Sequence, residues 1–126
     1  MQNQLRKLQQ LTRMAMDVEM IKLRQISQSE QALADQIKAL DTLSHLRAEQ
    51  LANAGGADVA LYAGADIRWA NWKQRRTITM NTQRAQLLAK REEQRSEALR
   101  AFGKNQAVQK LVEKAEETAK RKQRRP

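Results

Sequence analysis

Apolar residues recur at helical spacing along residues 3–53, a stretch that contains neither glycine nor proline. A first group follows this spacing and comprises Leu5, Leu8, Leu11, Ala15, Val18 and Ile21. A second group alternates in steps of three and four and comprises Leu23, Ile26, Leu33, Ile37, Leu40 and Leu51, with the polar residues Glu30, Ser44 and Arg47 in the same row. The pattern predicts one helix over about residues 3–53, with a change of register after Val18 that resembles a stutter.

The segment NAGGADV interrupts this pattern. Gly55 and Gly56 can adopt the positive φ that ends a helix, and Asp58 is a suitable N-terminal cap for the next one. Helix-forming residues dominate from there to the C-terminus. We therefore predict three further segments: a turn over about residues 54–58, a second helix over about 59–120, and a basic tail over 120–126.

The second helix has its own row, in which steps of four and three alternate. Its members are Ile67, Asn71, Gln74, Ile78, Asn81, Ala85, Leu88, Glu92, Arg95, Leu99 and Phe102. This row has the form of a heptad seam that is rich in polar residues. After Gly103 the apolar positions are Val108, Leu111, Val112, Ala115 and Ala119, which implies another change of register. We expect Gly64 and Gly103 to weaken the helix.

Folding the chain back at the double glycine pairs residues whose numbers add to about 114, in a register where Leu99 meets Ala15. Opposite charges also meet, and these pairs are Lys73 with Asp41 and Arg95 with Glu19. The predicted fold class is all-α, with two long helices forming an antiparallel coiled-coil hairpin. A continuous rod that dimerises is the competing architecture, and the double glycine argues against it.

Composition limits the classes of protein that the chain can represent. Its 126 residues include 3% aromatic and 30% charged residues, which is little material for a large globular core. It contains no cysteine, so disulfides and thiolate metal sites are excluded. No apolar run is long enough for a signal peptide or a membrane span, and we expect a cytoplasmic protein.

The sequence offers little support for catalysis. His45, the only histidine, lies on a helix without a neighbouring nucleophile or carboxylate arrangement that would make it a base. Glu92 and Glu93 are adjacent, point about 100° apart on a helix, and cannot share a proton or a metal ion. No glycine-rich phosphate loop or metal signature occurs. We therefore expect no enzymatic activity, no cofactor, no bound metal and no small-molecule substrate.

The net charge of +10 is concentrated in the second half of the chain. Residues 1–66 hold seven Lys/Arg and eight Asp/Glu, whereas residues 67–126 hold seventeen and six. The basic residues culminate in the C-terminal segment KRKQRRP. A run of this kind is usually a solvated tail, but it also suits nucleic acid, anionic lipid or an acidic protein surface.

Both tryptophans lie in the segment ADIRWANWKQRR, near the start of the second helix. Relative to the predicted seam, Trp69 and Trp72 point roughly 130° to 190° away, onto the outer face, with Tyr62, Arg68 and Arg76 close by. Exposed aromatic and cationic residues of this kind are typical of hot spots in protein interfaces. The alternative is that the seam slips here, so that the tryptophans cover the first helix and cap the hairpin.

Together these segments resemble the flagellar FliJ family and its type III secretion relatives. The resemblance is carried by QLRKLQQLTRMAMDVEMIKLRQ in the first helix and by RWANW and FGKNQAVQKLVEK in the second. It implies a cytoplasmic two-helix stalk at the base of a flagellum or injectisome, at most peripheral to the inner membrane. It also implies that the end with both termini enters a hexameric export ATPase. The body of the hairpin would contact the cytoplasmic domain of the export gate and escort export chaperones.

If these contacts carry over, the residues that face the ATPase lie near the two termini and are Leu5, Leu8, Leu11, Val108, Leu111, Lys120, Arg121, Arg124 and Arg125. The gate or the chaperones would meet a second set, which comprises Tyr62, Arg68, Trp69, Trp72 and Arg76. Two other classes of function stay open. A basic helical nucleic-acid-binding protein fits the charge, although no base-reading module is present. A generic coiled-coil adaptor fits the heptad pattern.

Overall fold

The computed structural model describes residues 2–53 and 59–125, and in the second helix it describes side chains from Gly64 onward. These residues form two α-helices, α1 (Gln2–Asn53) and α2 (Val59–Arg124). Strong helix formers dominate both helices, and neither contains a proline. The predicted all-α class with two contacting helices is confirmed. The predicted turn over residues 54–58 lies outside the described residues, and α2 continues into the predicted basic tail.

Gly64 and Gly103 lie inside α2 without interrupting it. Neither glycine has a positive φ. A Cβ atom added at either position would meet no other heavy atom within 4 Å. The two glycines therefore weaken α2 only through their low helix propensity, which costs about 0.5 to 1 kcal/mol relative to alanine.

The helices pair in two compact units. The terminal unit comprises Met1–Ile26 with Lys90–Pro126, and the central unit comprises Ser27–Ala89. In each unit a segment of α1 packs along a segment of α2. The residues between the two segments form a seam whose members follow one another in steps of three and four, as in coiled coils, with two consecutive steps of four at Trp69, Lys73 and Thr77.

Ion pairs between α1 and α2 define the register of the central unit. They join Lys73 to Asp41 at 2.7 Å, Arg84 to Glu30 at 2.6 Å, and Arg47 to Asp66 at 3.1 Å. In each pair the two residue numbers add to 113 or 114, so the segments run antiparallel in the predicted register. The predicted pairing of Lys73 with Asp41 is confirmed.

The α1 side of the central seam follows the predicted row. Its buried and half-buried members are Glu30, Leu33, Ile37, Leu40, Ser44, Arg47 and Leu51. The α2 side comprises Asp66, Trp69, Lys73, Thr77, Met80, Arg84 and Leu87. Met80 is the most enclosed of these side chains, with 1% of its surface exposed. A large share of this seam is polar, so ion pairs as well as apolar contacts join the two segments.

The terminal unit keeps a single register on each helix. On α1 the seam comprises Leu5, Gln9, Thr12, Met16, Glu19, Leu23 and Ile26. On α2 it comprises Arg91, Gln94, Ala98, Ala101, Asn105, Val108, Val112, Ala115 and Ala119. The predicted changes of register after Val18 and after Gly103 are therefore both wrong. Leu8, Leu11 and Ile21, which the prediction assigned to the seam, are exposed.

From Gln74 to Phe102 the predicted seam of α2 lies one residue later than the observed one, a rotation of about 100° around the helix. Its largest apolar members are exposed, and they are Ile67, Ile78, Leu99 and Phe102. The prediction was wrong because it followed the largest apolar side chains, whereas the observed seam includes small and polar residues. Ala98 and not Leu99 lies in the seam, and Gln94 and not Arg95 meets Glu19.

Candidate protein-binding surfaces

Two of the residues expected to face the ATPase lie in the seam of the terminal unit. Leu5 is half-buried there, and Val108 is buried. Because their side chains pack between α1 and α2, they contribute to the pairing of the helices and are not available to a partner. This placement removes both residues from the candidate binding surface.

Leu8, Leu11 and Leu111 are exposed, with 43% to 62% of their surfaces accessible. Leu8 and Leu111 each immediately precede a seam residue, and in an antiparallel pair such positions flank the same side of the seam. They also lie at the same level, because two cross-helix contacts bracket them: Arg6 with Glu116 at 3.3 Å and Thr12 with Asn105 at 3.1 Å. Leu11 lies one helical turn after Leu8 on α1, so the three leucines form an apolar patch that extends from the flank of the seam onto the outer face of α1.

The four basic candidates near the C-terminus are all exposed, and they are Lys120, Arg121, Arg124 and Arg125. Arg121 lies 3.1 Å from Glu117, one helical turn earlier. Cations in the last turn of a helix interact favourably with its exposed carbonyl groups and with the negative end of the helix dipole. The basic segment is therefore helical up to Arg124 and presents its charges to solvent.

A polar layer crosses the seam of the terminal unit at Asn105, which is only 7% exposed. The hydroxyl of Thr12 donates a hydrogen bond to Asn105 Oδ1 at 3.1 Å. The Nδ2 group of Asn105 lies 3.8 Å from the sulfur of Met16. A buried asparagine in a heptad seam favours the one register in which its partner is present, at some cost in stability.

A second polar contact in the terminal unit stabilises the charged form of the Glu19 carboxyl group. The side-chain amide of Gln94 donates to a carboxylate oxygen of Glu19 and, at 3.0 Å, to its backbone carbonyl. Lys22 Nζ lies 3.4 Å from the other carboxylate oxygen. The hydrogen bond from Gln94 and, secondarily, the charge of Lys22 lower the pKa of the Glu19 carboxyl below its ordinary value.

The tryptophan segment forms a cluster with α1 in the central unit. Arg47 bonds Asp66 at 3.1 Å through one guanidinium nitrogen, and its carbon Cζ lies 5.0 Å from the ring centroid of Trp69. This distance is within the range of a cation–π contact. The rings of Trp69 and Trp72 have centroids 6.4 Å apart and are tilted by 42°. Trp69 is consequently half-buried against the first helix.

The outer-face orientation is therefore wrong for Trp69, which lies in the seam, and the alternative, in which the seam slips and the side chain covers the first helix, describes it. The predicted seam has Asn71 where the observed seam has Trp69, two residues earlier, so the prediction turned Trp69 outwards. Trp72 is 47% exposed, and Arg68 and Arg76 are exposed as well. The side chain of Tyr62 lies outside the part of the structure that is described.

Asp41 and Lys73 form an ion pair near the same cluster, with Lys73 partly enclosed in the seam. The hydrogen bond from Lys73 and its positive charge lower the pKa of the Asp41 carboxyl. The structure thus holds carboxylates ionised through contacts between the helices. Both contacts join α1 to α2.

Comparison with protein families, with characterised proteins and with solved structures gave no match for this chain. In the described residues, no group of three or more histidines and carboxylates is arranged to hold a metal ion. None of the helical stretches described is both long and apolar enough to cross a membrane.

Sequence reasoning missed two features of the terminal unit. The first is Asn105, which lies within the segment FGKNQAVQKLVEK but was not recognised as a seam residue. The second is the exposure of Met14, Val18 and Ile21 on α1. Extending the heptad of Leu23 backwards without a change of register reaches Met16, Thr12 and Leu5, which would have indicated the second feature.

Proposed function

We propose that this protein is a stalk-like coiled coil of the flagellar or type III protein export apparatus, acting in the cytoplasm. In this role the terminal unit engages a hexameric export ATPase. The central unit engages the cytoplasmic domain of the export gate or an export chaperone. The proposal rests on the resemblance of the sequence to the FliJ family together with the surfaces of the two units.

The observation that carries the proposal is the apolar patch of Leu8, Leu11 and Leu111 on the unit that also bears the basic C-terminal segment. An exposed apolar patch surrounded by charge is a common form of protein-binding surface. It is small compared with an obligate interface, which suits a contact that must form and break as a ring of subunits changes conformation.

The central unit offers a second surface around Trp72, with Arg68 and Arg76 exposed nearby. Trp69 lies next to this surface and is held against α1 by its contact with Arg47. Tryptophan and arginine are enriched among residues that dominate binding energy. We therefore assign the gate or chaperone contact to Trp72 and its arginine neighbours, with Trp69 as a supporting residue.

Co-purification of the chain with the hexameric export ATPase, and separately with the cytoplasmic domain of the gate, tests this assignment. We expect both partners to be retained, and Trp72→Ala to weaken only the gate complex. A matched control is Ile78→Ala, because Ile78 is another exposed apolar residue of the central unit. Failure to retain either partner would count against the proposal.

Binding to random DNA distinguishes the nucleic-acid alternative. Phosphate contacts release counterions, so a nucleic-acid-binding protein binds tightly at low salt and loses affinity steeply as salt increases. If the protein acts in export, we expect it to bind random DNA only weakly, although the second half of the chain is basic. Tight DNA binding at physiological salt, with no retention of the ATPase, would favour the alternative.

A further inference from the structure

A second row of apolar residues runs along α1 in the terminal unit, outside the seam. It consists of Leu11, Met14, Val18 and Ile21, which follow one another in steps of three, four and three. Between 49% and 63% of the surface of each residue is exposed. We call this set the outer row. Its side chains are too regularly spaced to be isolated surface residues.

The outer row points away from α2. Each of its members precedes a seam residue by one or two positions, which places it about 100° to 200° from the seam around the helix. Helix α1 therefore carries two rows with heptad spacing, and α2 covers only one of them. Steps of three and four are the pattern that inserts side chains into the gaps of a facing helix. The spacing of the outer row therefore suits an α-helix as its binding partner.

The charge of the terminal unit indicates whether the outer row binds a second copy of this chain or another protein. Residues 1–26 hold five Lys/Arg and two Asp/Glu, and residues 90–126 hold twelve and six, so the terminal unit carries +9 of the total +10. Pairing two copies through this unit would bring like charges together, which disfavours association. Lys7 continues the outer row, and Lys22 and Arg24 flank it, with Asp17 as the acidic neighbour. A partner helix with acidic flanks complements this surface.

We propose that the outer row binds an amphipathic helix of another protein, with apolar residues in steps of three and four and with glutamate or aspartate beside them. This inference goes beyond the proposed export function and does not require the ATPase. Leu11 belongs both to the outer row and to the set assigned to the ATPase, whereas Met14, Val18 and Ile21 belong only to the outer row, and the substitutions that test the row leave Leu11 unchanged. The two proposals can therefore fail separately.

The probe is a synthetic acidic helix of about 21 residues, with leucine at heptad core positions and glutamate at the flanking positions. Two control peptides have the same leucines with lysine flanks, and the same composition in scrambled order. Methyl NMR of methionine-labelled full-length protein reports the binding site directly. Met14 belongs to the outer row, whereas Met80 is buried in the central unit and serves as an internal reference.

We expect the acidic peptide to shift the Met14 methyl resonance and to leave that of Met80 unchanged. The triple substitution Met14→Gln, Val18→Gln and Ile21→Gln should weaken binding at least about tenfold. Glutamine is a good helix former, so this variant should keep its helicity. The matched control replaces three exposed apolar residues off the row, Met20, Leu99 and Phe102, with glutamine and should bind as the native chain does.

Several results would overturn the inference. Equal binding of the acidic, lysine-flanked and scrambled peptides would show that neither spacing nor charge matters. Unchanged affinity in the outer-row variant would place the peptide elsewhere on the basic surface. If the native chain sediments as a dimer and the outer-row variant as a monomer, a second copy of the chain occupies the outer row.

Discussion

The carboxylate of Glu30 on α1 accepts a 2.6 Å hydrogen bond from the guanidinium of Arg84 on α2, although Glu30 is only 6% exposed. The pair lies in the seam of the central unit, beside the enclosed side chain of Met80. Burying a carboxylate costs free energy unless hydrogen bonds and opposite charge compensate for it. The pairing of α1 and α2 therefore depends on matched polar partners as well as on apolar contacts.

Replacing Arg84 with alanine should lower the free energy of unfolding by about 1 to 2 kcal/mol. The expected loss is below that of a fully buried pair because 42% of the Arg84 side chain is exposed to solvent, which screens the interaction. Replacing both Glu30 and Arg84 with leucine should restore most of the lost stability. Urea unfolding followed by circular dichroism measures these differences, and native stability in Arg84→Ala would show that the ion pair contributes little.

Replacing Asn105 with leucine should raise stability by about 1 kcal/mol while loosening the register of the terminal unit. The buried asparagine favours the pairing in which it meets Thr12, and an apolar residue at the same position tolerates other pairings. Sedimentation velocity should then show additional oligomers. A control is Asn105→Ala, which removes the hydrogen bond without adding apolar volume and should lower stability. If the Asn105→Leu variant forms no additional oligomers and has the stability of the native chain, Asn105 does not determine the register of the two helices.

Replacing Gly103 with alanine should stabilise the protein by about 0.5 to 1 kcal/mol, because the added Cβ meets no neighbour and alanine has a higher helix propensity. The exposed Ala107 lies on the same helix and provides a matched control. Ala107→Gly should lower stability by a similar amount. A loss of stability in Gly103→Ala, measured by thermal or urea unfolding, would mean that this position is in closer contact than the structure shows.

Acidification should destabilise the pairing through Glu19 and Asp41, whose carboxyl pKa values are lowered in the folded protein from ordinary values of 4.5 and 3.8. Because the folded protein binds these protons less readily than the unfolded chain, the stabilisation is present above the ordinary pKa values. It is lost as the pH falls through the lowered ones. Urea midpoints measured from neutral pH to about pH 3 should decrease over this range.

Gln94→Ala provides the control for this pH dependence, since the hydrogen bond from Gln94 is the main cause of the lowered pKa of Glu19. The variant should be less stable at neutral pH and should lose less stability on acidification than the native chain. Carbon NMR titration of the carboxyl groups should show the pKa of Glu19 rising towards its ordinary value. An unchanged titration of Glu19 in this variant would contradict the contact.

The helical class, the antiparallel pairing and the α1 seam from Leu23 to Leu51 could be predicted from the sequence because helix propensity and heptad spacing determine them. The α2 seam could not be predicted in this way. Its observed members include Ala98 and Ala101, which are smaller than their sequence neighbours Leu99 and Phe102, and the polar Asn105. Side-chain hydrophobicity alone therefore indicates the wrong face. The partner helix decides the register, through contacts such as that of Gln94 with Glu19.

The predicted partner-facing residues differ in exposure. Leu8, Leu11 and Trp72 are exposed, although the hydrophobic pattern assigned Leu8 and Leu11 to the seam, whereas Leu5 and Val108 pack inside the terminal unit. The difference follows from the seam, because a rotation of one residue exchanges buried and exposed positions on a helix. The assignment to an export ATPase stays a prediction from sequence resemblance.

Titrating the hexameric export ATPase with this protein and its variants, while measuring the rate of ATP hydrolysis, tests whether the chain acts on that ATPase. We predict that the native chain changes the rate and that the variant Leu8→Gln, Leu11→Gln, Leu111→Gln loses the effect while keeping its helicity. A control with Leu99→Gln and Phe102→Gln, which alters equally exposed residues off the patch, should act as the native chain does. If the ATPase rate does not respond to the native chain, or responds equally to the variant with the three leucine substitutions, the proposed contact between the apolar patch and the ATPase is wrong.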